Sequence, residues 1–461
     1  MGSLAADLNA TDEQRARRRV LIIASTYRPA MLADMHRARM LAFDLPQYGW
    51  DVELLVPDAS YQRPEWVEPQ ASGLFADAPV HEVPPWLPSL FRAAGIGTIA
   101  LRAWWPLFRA GAKLLASGRF DLVYFSTTSF PLFCLGPLWQ KRFGVPYVLD
   151  LQDPWYYPNR KYFTTKKIWK ARISNRLAKI MERYAITRAA GLVAVSPQYL
   201  AEMRHRYAHN PGPWQRESRE AVIPFAASER DLAVAAEHVE HAGLSRTPAL
   251  VIRHVGVGGP MRVRGFEVLC AALRCLRDSD SALASRLRIE LYGTAGSHEE
   301  WHGMLGGIAE RHGVGDLVAD LPATVSYRTS LTLAHEADGL LVLGVDDRGY
   351  TPSKLYNYLL FGKPVLAVLQ NDSPATAFLE SHADVASLIT FGGTDSPSPA
   401  EAAQTIHAFL TQAAAGTRHD RRELLEAQLS SAMAHEHALL FDRCVGNDAP
   451  ASIGKTPTAR P

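Results

Sequence analysis

With 461 residues, 47% of them hydrophobic and 21% charged, the chain is too long for one ordinary core and too apolar for disorder, so two domains are expected. A net charge of only +2 argues against a general nucleic-acid binder. Cys134, Cys270, Cys275 and Cys444 form no C-x-x-C pair, which argues against structural zinc or a disulfide framework and fits a reduced, cytoplasmic chain.

Residues 1–18 read as a flexible arm without the apolar core of a signal peptide, and Ala6 stands where a myristoylation signal needs Ser or Thr. "RVLIIAS" at Arg19–Ser25 is a short branched apolar run, the pattern of a buried parallel strand. A helical pattern follows from about Ala33 to Tyr48, then the strand "DVELLVP", then a helix over Thr98–Ala116. "FDLVYFS" and "VPYVLDLQD" are strands around a short helix, and a long basic helix covers about Thr165–Ala189. "GLVAVS", a helix from Pro197 and "AVIPFA" complete the first half. The alternation restarts after Ser228 with "ALVIRHVG", "GFEVLCAALRCL", "LRIELYG", "ADGLLVLG" and "PVLAVL". Strands alternating with helices predict an α/β chain of two Rossmann-like domains facing a cleft, at 19–226 and 227–446. The helices at about Ala400–Ala415 and Arg421–Phe441 are candidates to pack back across the first domain, and the Pro-, Ala- and Thr-rich stretch 447–461 is expected to be disordered. No apolar run approaches about 18 residues, so no membrane-spanning helix is expected.

Doubly wound sheets bind ligands beyond the carboxyl ends of their strands. In "GYTPSKLYNYLLFGKPVLAV", Thr351 suits an N-cap, Pro352 the first helical position and Gly362 the stop. Capping does not require Ser353 and Lys354, and a cation in a first turn opposes the helix dipole. Either Lys354 is solvated, or Thr351, Ser353 and Lys354 receive a phosphate or diphosphate. In "HVGVGGPMRVRGF", Gly256, Gly258 and Gly259 follow a strand and allow close backbone approach, with Arg262 and Arg264 at the next helix entrance. Met261 breaks a dinucleotide fingerprint and no P-loop ending is present.

"YTPSKLYNYLLFGKPVLAV" and "RHVGVGGPMRVRGFEVL" resemble the donor half of GT-B glycosyltransferases, most like family 4, and "FGVPYVLDLQDPW" and "AAGLVAVSPQYL" resemble the acceptor half. The resemblance runs from about Arg19 to His437. It implies a retaining enzyme that moves a sugar from a nucleotide-diphosphate sugar to an acceptor hydroxyl, without metal or other cofactor. It places Tyr350, Thr351, Ser353, Asn357 and the three glycines at the donor, and Arg264, Lys354 and Asp153 at the chemistry. Gln152 falls where the family commonly has a His, while Gly349 and Asn357 replace two glutamates. Asp153 is alternatively a helix cap. That loss keeps two other readings open: a GT-B partner that binds nucleotide without turnover, and a nucleotide-sugar epimerase or hydrolase. A dinucleotide oxidoreductase lacks its glycine fingerprint.

On the acceptor side, His36 and Arg37 lie on the first helix of the first domain, where an ordinary surface or core role is the alternative. The D-x-D at Asp278–Asp280 follows a helix rather than a strand and is set aside as a metal site, as is the turn Asp346-Asp347. Trp86, Phe91, Trp104, Trp105 and Phe108 are mixed with Arg92, Arg102, Arg109 and Lys113, and the stretch Arg160–Arg183 repeats this mixture with Tyr162, Phe163 and Trp169. Such stretches suit peripheral contact with an anionic membrane and a carbohydrate or lipid-linked acceptor reached from the cytoplasmic face; core aromatics with solvated charges are the alternative.

Overall fold

The computed structural model describes residues 17–28, 35–58, 67–68, 72–86, 99–156, 168–242, 249–296, 298–382, 384–394 and 396–446. Most of the expected arm, the tail 447–461, and Phe91, Arg92, Tyr162 and Phe163 lie outside the described residues, as do the side chains at 168–172.

The first sheet comprises β1 (Arg18–Ile23), β2 (Trp50–Pro57), β3 (Val80–Val83), β4 (Leu122–Phe125), β5 (Tyr147–Leu151), β6 (Gly191–Ala194) and β7 (Glu220–Val222). Its order is β3-β2-β1-β4-β5-β6-β7 and its pairings are parallel, with Val20 opposite Leu122 and Trp50 opposite Arg18. The two-residue period of β1 sends Leu21 and Ile23 to one core and Val20 and Ile22 to the other, all four fully buried. The second sheet comprises β8 (Leu250–Val255), β9 (Leu287–Tyr292), β10 (Val318–Leu321), β11 (Gly339–Leu343), β12 (Val365–Gln370) and β13 (Ser387–Phe391), in the order β10-β9-β8-β11-β12-β13, again parallel. Strand order therefore reverses between β1 and β4 in one domain and between β8 and β11 in the other. Ligand crevices in such sheets form where the strand order reverses.

The outgoing crossing lies at Ile223–Ser228, after which the helix Glu229–Ala242 packs on the helix Tyr327–Glu336 of the second domain. Only one of the two helices considered for the return journey makes it. Pro399–Ala414 stays on the second domain against the helix Val263–Ser279, because Ile406, Phe409 and Leu410 fill that core. Ser430–Cys444 crosses to the first domain, where Phe441 meets Trp50 at 5.4 Å and Tyr124 at 5.2 Å between ring centroids. The two crossings touch: Ala227 N donates to Gln428 O, and Ser430 N donates to Ala227 O, both at 2.8 Å.

A buried clasp joins the domains beside this crossing. Arg39, on the first-domain helix His36–Asp44, donates two hydrogen bonds of 2.8 Å to Asp231 on the linker helix. The Tyr327 hydroxyl, from the second domain, donates to the same carboxylate at 2.7 Å.

Candidate active site

A cavity of about 560 Å³ lies between the domains, over the β8–β11 switch point. The second domain lines it with the loop after β8 (Val255, Gly256, Val257, Arg262), the segment after β11 (Tyr350, Ser353, Lys354, Asn357) and the face Tyr327, Ser330 and Ala334. The first domain and the crossings add His36, Arg37, Met40, Phe225, Ala226 and Met433.

The two loops at the switch point are tied by their cations. β8 ends at Val255, whose carbonyl accepts from the Lys354 ammonium and whose N–H donates to the Tyr358 hydroxyl at 3.2 Å. Gly256 follows with φ +147°, and a Cβ there would collide with Lys354 Nζ, so glycine leaves room for the ammonium against the strand end. Arg262 Nε donates to the Val257 carbonyl at 2.6 Å, and its Nη2 donates to the Tyr350 hydroxyl at 3.1 Å. Its Nη1 is buried and has no hydrogen-bond partner among the described residues.

Among the described residues, no aspartate or glutamate lines this cavity and neither Lys354 nor Arg262 pairs with a carboxylate. Although Lys354 as a whole keeps some exposure, its ammonium is enclosed. Burial and the neighbouring Arg262 push its pKa down from 10.5 to about 7. Behind them, burial and the same two cations hold His254 well below the usual histidine range. His254 Nδ1 lies 3.0 Å from the Leu341 carbonyl and must donate to it, leaving the lone pair on Nε2, which is buried without a hydrogen-bond partner among the described residues. The site thus presents positive charge and unpaired polar atoms with no anion of its own.

Several expected site residues sit elsewhere. Arg264 lies outside the cavity lining: its exposed guanidinium is 3.3 Å from Asp346. At about 100–120° of rotation per residue, two positions along a helical turn face nearly opposite ways, so Arg262 points in and Arg264 out. The helix expected to be capped by Thr351 and to begin at Pro352 begins at Leu355 and ends at Leu360, with Lys354 in the N-cap position, so Thr351 does not cap it. Thr351 is buried outside the cavity lining, and its hydroxyl has no hydrogen-bond partner among the described residues. Gly258 and Gly259 shape the loop without reaching the cavity: Gly258 N donates to Thr294 O at 2.8 Å, and Gly259, at φ +75°, lies under Trp301.

Asn357 does line the cavity, but its Oδ1 accepts from Ser228 N at 2.8 Å and ties the donor-side helix to the crossing. His36 also lines it, its ring tilted against that of Tyr327 at 4.3 Å between centroids; burial and Arg39 push its pKa down to about 3, so it is neutral. Arg37 is a buried anchor at the cavity's edge, with its Nε 3.2 Å from Asp150 and its Nη2 donating to the Ile223 carbonyl at 2.8 Å. Gln152 serves the same group, donating to Asp150 at 2.8 Å and to Ser126 at 3.2 Å, rather than facing the cleft. Burial raises the Asp150 carboxyl against the pull of Arg37. Asp153 is exposed just beyond β5 and outside the cavity lining.

Residues beyond those expected complete the cavity: Gly293 and Gly296 after β9, and Thr324 and Val325 after β10. The rule that ligands gather beyond strand ends would have found "LYGTAG" as readily as the loop after β8. At Gly349, a Cβ would lie 2.5 Å from the Tyr199 ring of the first domain. This is one of the two positions where the resembling family carries glutamate, and here an aromatic ring occupies the space.

Residues 36–216 match the family described as glycosyl transferase 4-like domain. No curated protein matches the chain in sequence. Among solved structures, the chain is similar to HepE of Anabaena in complex with UDP, with TM-score 0.54 and 15% identity over 92% of this chain and 100% of that one. It is similar to a glycosyltransferase from Rickettsia africae, with TM-score 0.58 and 10% identity over 94% and 100% of the two chains. WaaG, a glycosyltransferase involved in lipopolysaccharide biosynthesis, aligns with TM-score 0.57 and 14% identity over 93% and 100%. The chain has the GT-B fold, and the segment that matches the glycosyl transferase 4-like model lies within its first domain. In this GT-B chain the anion-friendly switch point belongs to the second domain, while the matched family segment supplies the facing wall.

Proposed function

We propose that this GT-B chain is a retaining glycosyltransferase that takes a nucleotide-diphosphate sugar in the second domain and passes the sugar to an acceptor hydroxyl presented by the first. The observation that carries the reading is the convergence of Arg262 and Lys354 on one cavity with no carboxylate lining it among the described residues. Two cations without counter-charge are costly unless an anion completes the site. A diphosphate has the charge and the oxygens to do so. The UDP held by HepE is a ligand of that kind.

As the bond from the anomeric carbon to the phosphate oxygen breaks, negative charge grows on the departing diphosphate. Arg262 and Lys354 meet that charge where it develops. The acceptor oxygen bonds to the anomeric carbon on the face being vacated, and its proton passes to the departing phosphate oxygen. The step therefore asks for no protein base and assigns no role to a metal or cofactor. Tyr199 against Gly349 brings the first-domain wall onto the donor loop. On that side the acceptor is a carbohydrate, lipid-linked and met at the cytoplasmic membrane face, in glycan or glycoconjugate biosynthesis.

Thermal unfolding with UDP, GDP, ADP and dTDP tests the donor site. One of them at about a hundredfold its Kd adds about 2.7 kcal/mol of stability and raises Tm measurably. If none raises Tm at millimolar concentration, the donor reading fails. A shift without release of sugar from any nucleotide sugar would instead favour a binding partner that lacks turnover.

Binding is also coupled to protons. Below about pH 6 the Lys354 ammonium is already charged; above its pKa of about 7 it is mostly neutral when unligated. A bound diphosphate raises that pKa, so binding takes up a proton between about pH 7 and the raised value, and affinity falls as pH rises through this window. Calorimetry at pH 8 in buffers of differing ionisation enthalpy is expected to show an uptake approaching one proton, lost in Lys354→Met.

A further inference from the structure

We infer that the first domain docks on an anionic lipid surface through the helix Ile168–Ile186, laid in the plane of the headgroups. The inference deepens the reading of a lipid-linked acceptor and rests on it for purpose, while its geometry stands apart from the donor site.

The helix has three distinct faces. Ala178, Glu182 and Ala185 are buried against the domain. Ile173, Leu177 and Ile180 are 53%, 53% and 59% exposed, three large apolar side chains at i, i+4 and i+7. At 100° per residue they form one stripe, roughly 130° around from the buried side. A monomeric surface scatters exposed apolar residues singly; an aligned stripe on one helix marks a contact surface. Arg176, Lys179 and Arg183 form a row along one edge of the stripe, all exposed. Glu182 is the only acid in the helix, and it faces inward, accepting from the Tyr207 hydroxyl at 2.7 Å. The outward surface of this helix thus combines apolar and cationic groups with no acid.

A neighbouring helix repeats the combination. Ile99–Leu115 packs on the turn Phe130–Cys134, as Ile168–Ile186 does, and both helices feed the same core, so they lie on the same side of the first sheet. Leu101 and Trp105 are 47% and 41% exposed, and Arg109 and Lys113 continue along that face at the same spacing of four. Trp86 is 51% exposed, with its ring 6.4 Å from that of Trp105. Indole rings at the edge of an apolar patch suit the interfacial zone of a bilayer.

The charge decides the occupant. A second copy of the chain would bring an identical cationic row against this one at a self-complementary contact, where like charges repel. An anionic bilayer instead supplies apolar depth to the stripe and negative charge to its edge. Among the described residues no helix is long and apolar enough to cross a membrane, so the contact is one of surface rather than span.

Co-sedimentation of the full chain with vesicles tests this, comparing phosphatidylcholine alone with phosphatidylcholine containing about a third phosphatidylglycerol. The wild type is expected to bind the anionic vesicles at low salt and to lose most of that binding at high salt. Each cation near the surface is worth about fivefold, so the variant R176S/K179S/R183S is expected to bind about a hundredfold more weakly. Leu177→Glu with Ile180→Glu is expected to lose at least tenfold. Both variants should keep the wild-type shift in Tm with nucleotide, which separates a lost surface from a lost fold. Wild type that stays in the supernatant at low salt overturns the proposal, as does binding that neither variant weakens. A wild-type dimer dissociated by the stripe variant would overturn it in favour of a second copy. Vesicle binding by a chain that no nucleotide stabilises would sink the donor reading and leave this one standing.

Discussion

Arg262→Met is expected to lower kcat by about a hundred- to a thousandfold, the loss typical when a donor to a developing anion is removed. Lys354→Met should fall in the same range, whereas Arg264→Met should leave turnover close to wild type. The contrast follows from where the charges point: Arg262 and Lys354 line the cavity, and Arg264 lies outside with Asp346 as its partner. Arg262→Lys sharpens the test, because it keeps the charge but loses the planar fork that holds Val257 and Tyr350 together. An intermediate loss in Arg262→Lys assigns part of the effect to geometry and part to charge. Steady-state kinetics with the nucleotide sugar identified by screening measures all four. Removing the Lys354 ammonium should also make the unligated protein more resistant to heat, since an enclosed cation without a carboxylate opposes folding. Stability gained together with activity lost is the signature of a functional charge rather than a structural one.

The largest effect on stability is expected at Asp231. Asp231→Ala leaves the Arg39 guanidinium buried with its counter-charge removed and takes away the acceptor of the Tyr327 hydroxyl. Side-chain exposure of the Arg39–Asp231 pair is 1% at both ends, so water cannot replace the lost partner. Breaking such a pair from one side costs about 3–5 kcal/mol. Urea unfolding of Asp231→Ala measures the loss directly. Adding Arg39→Leu to it should recover much of the deficit, because the penalty lies in the orphaned charge more than in the missing attraction. An additive double variant would show instead that the two side chains act independently.

The alternation of strands and helices was legible because it depends on local pattern. Runs such as "RVLIIAS" and "ADGLLVLG" are apolar on both faces, and only a strand in a covered parallel sheet uses them so. The donor loops were legible by position, since Gly256, Ser353 and Lys354 follow strand ends at the reversal of strand order. What the pattern could not give was the partner of each polar group. Arg262 and Arg264 carry the same charge two residues apart, and only the turn Pro260–Arg262 decides which one enters the cavity. Lys354 is drawn inward by the carbonyl that ends β8, and the helix starts three residues later than expected, at Leu355 rather than Pro352. Arg37 was read as facing the acceptor and does line the cavity, but its Nε is held by Asp150, and Gln152 donates to the same carboxylate, a buried group that looks in the sequence like one more strand residue. The apolar stripe of Ile173, Leu177 and Ile180 was hidden for a similar reason. Helical periodicity shows that these residues share a face, but not which of two candidate faces the domain covers.

The return of Ser430–Cys444 to the first domain has a consequence for how the protein is made. Met433, Ala434, Leu440 and Phe441 belong to the same buried cluster as Val20, Trp50 and Tyr124. Roughly 200 residues separate β7 from that helix, about 10–40 s of ribosomal synthesis. Throughout that interval the nascent first domain carries an uncovered apolar flank, while the second domain emerges with its core nearly whole. Translation order and completion order are thus reversed, and the amino-terminal half is the one that would need a chaperone's shelter.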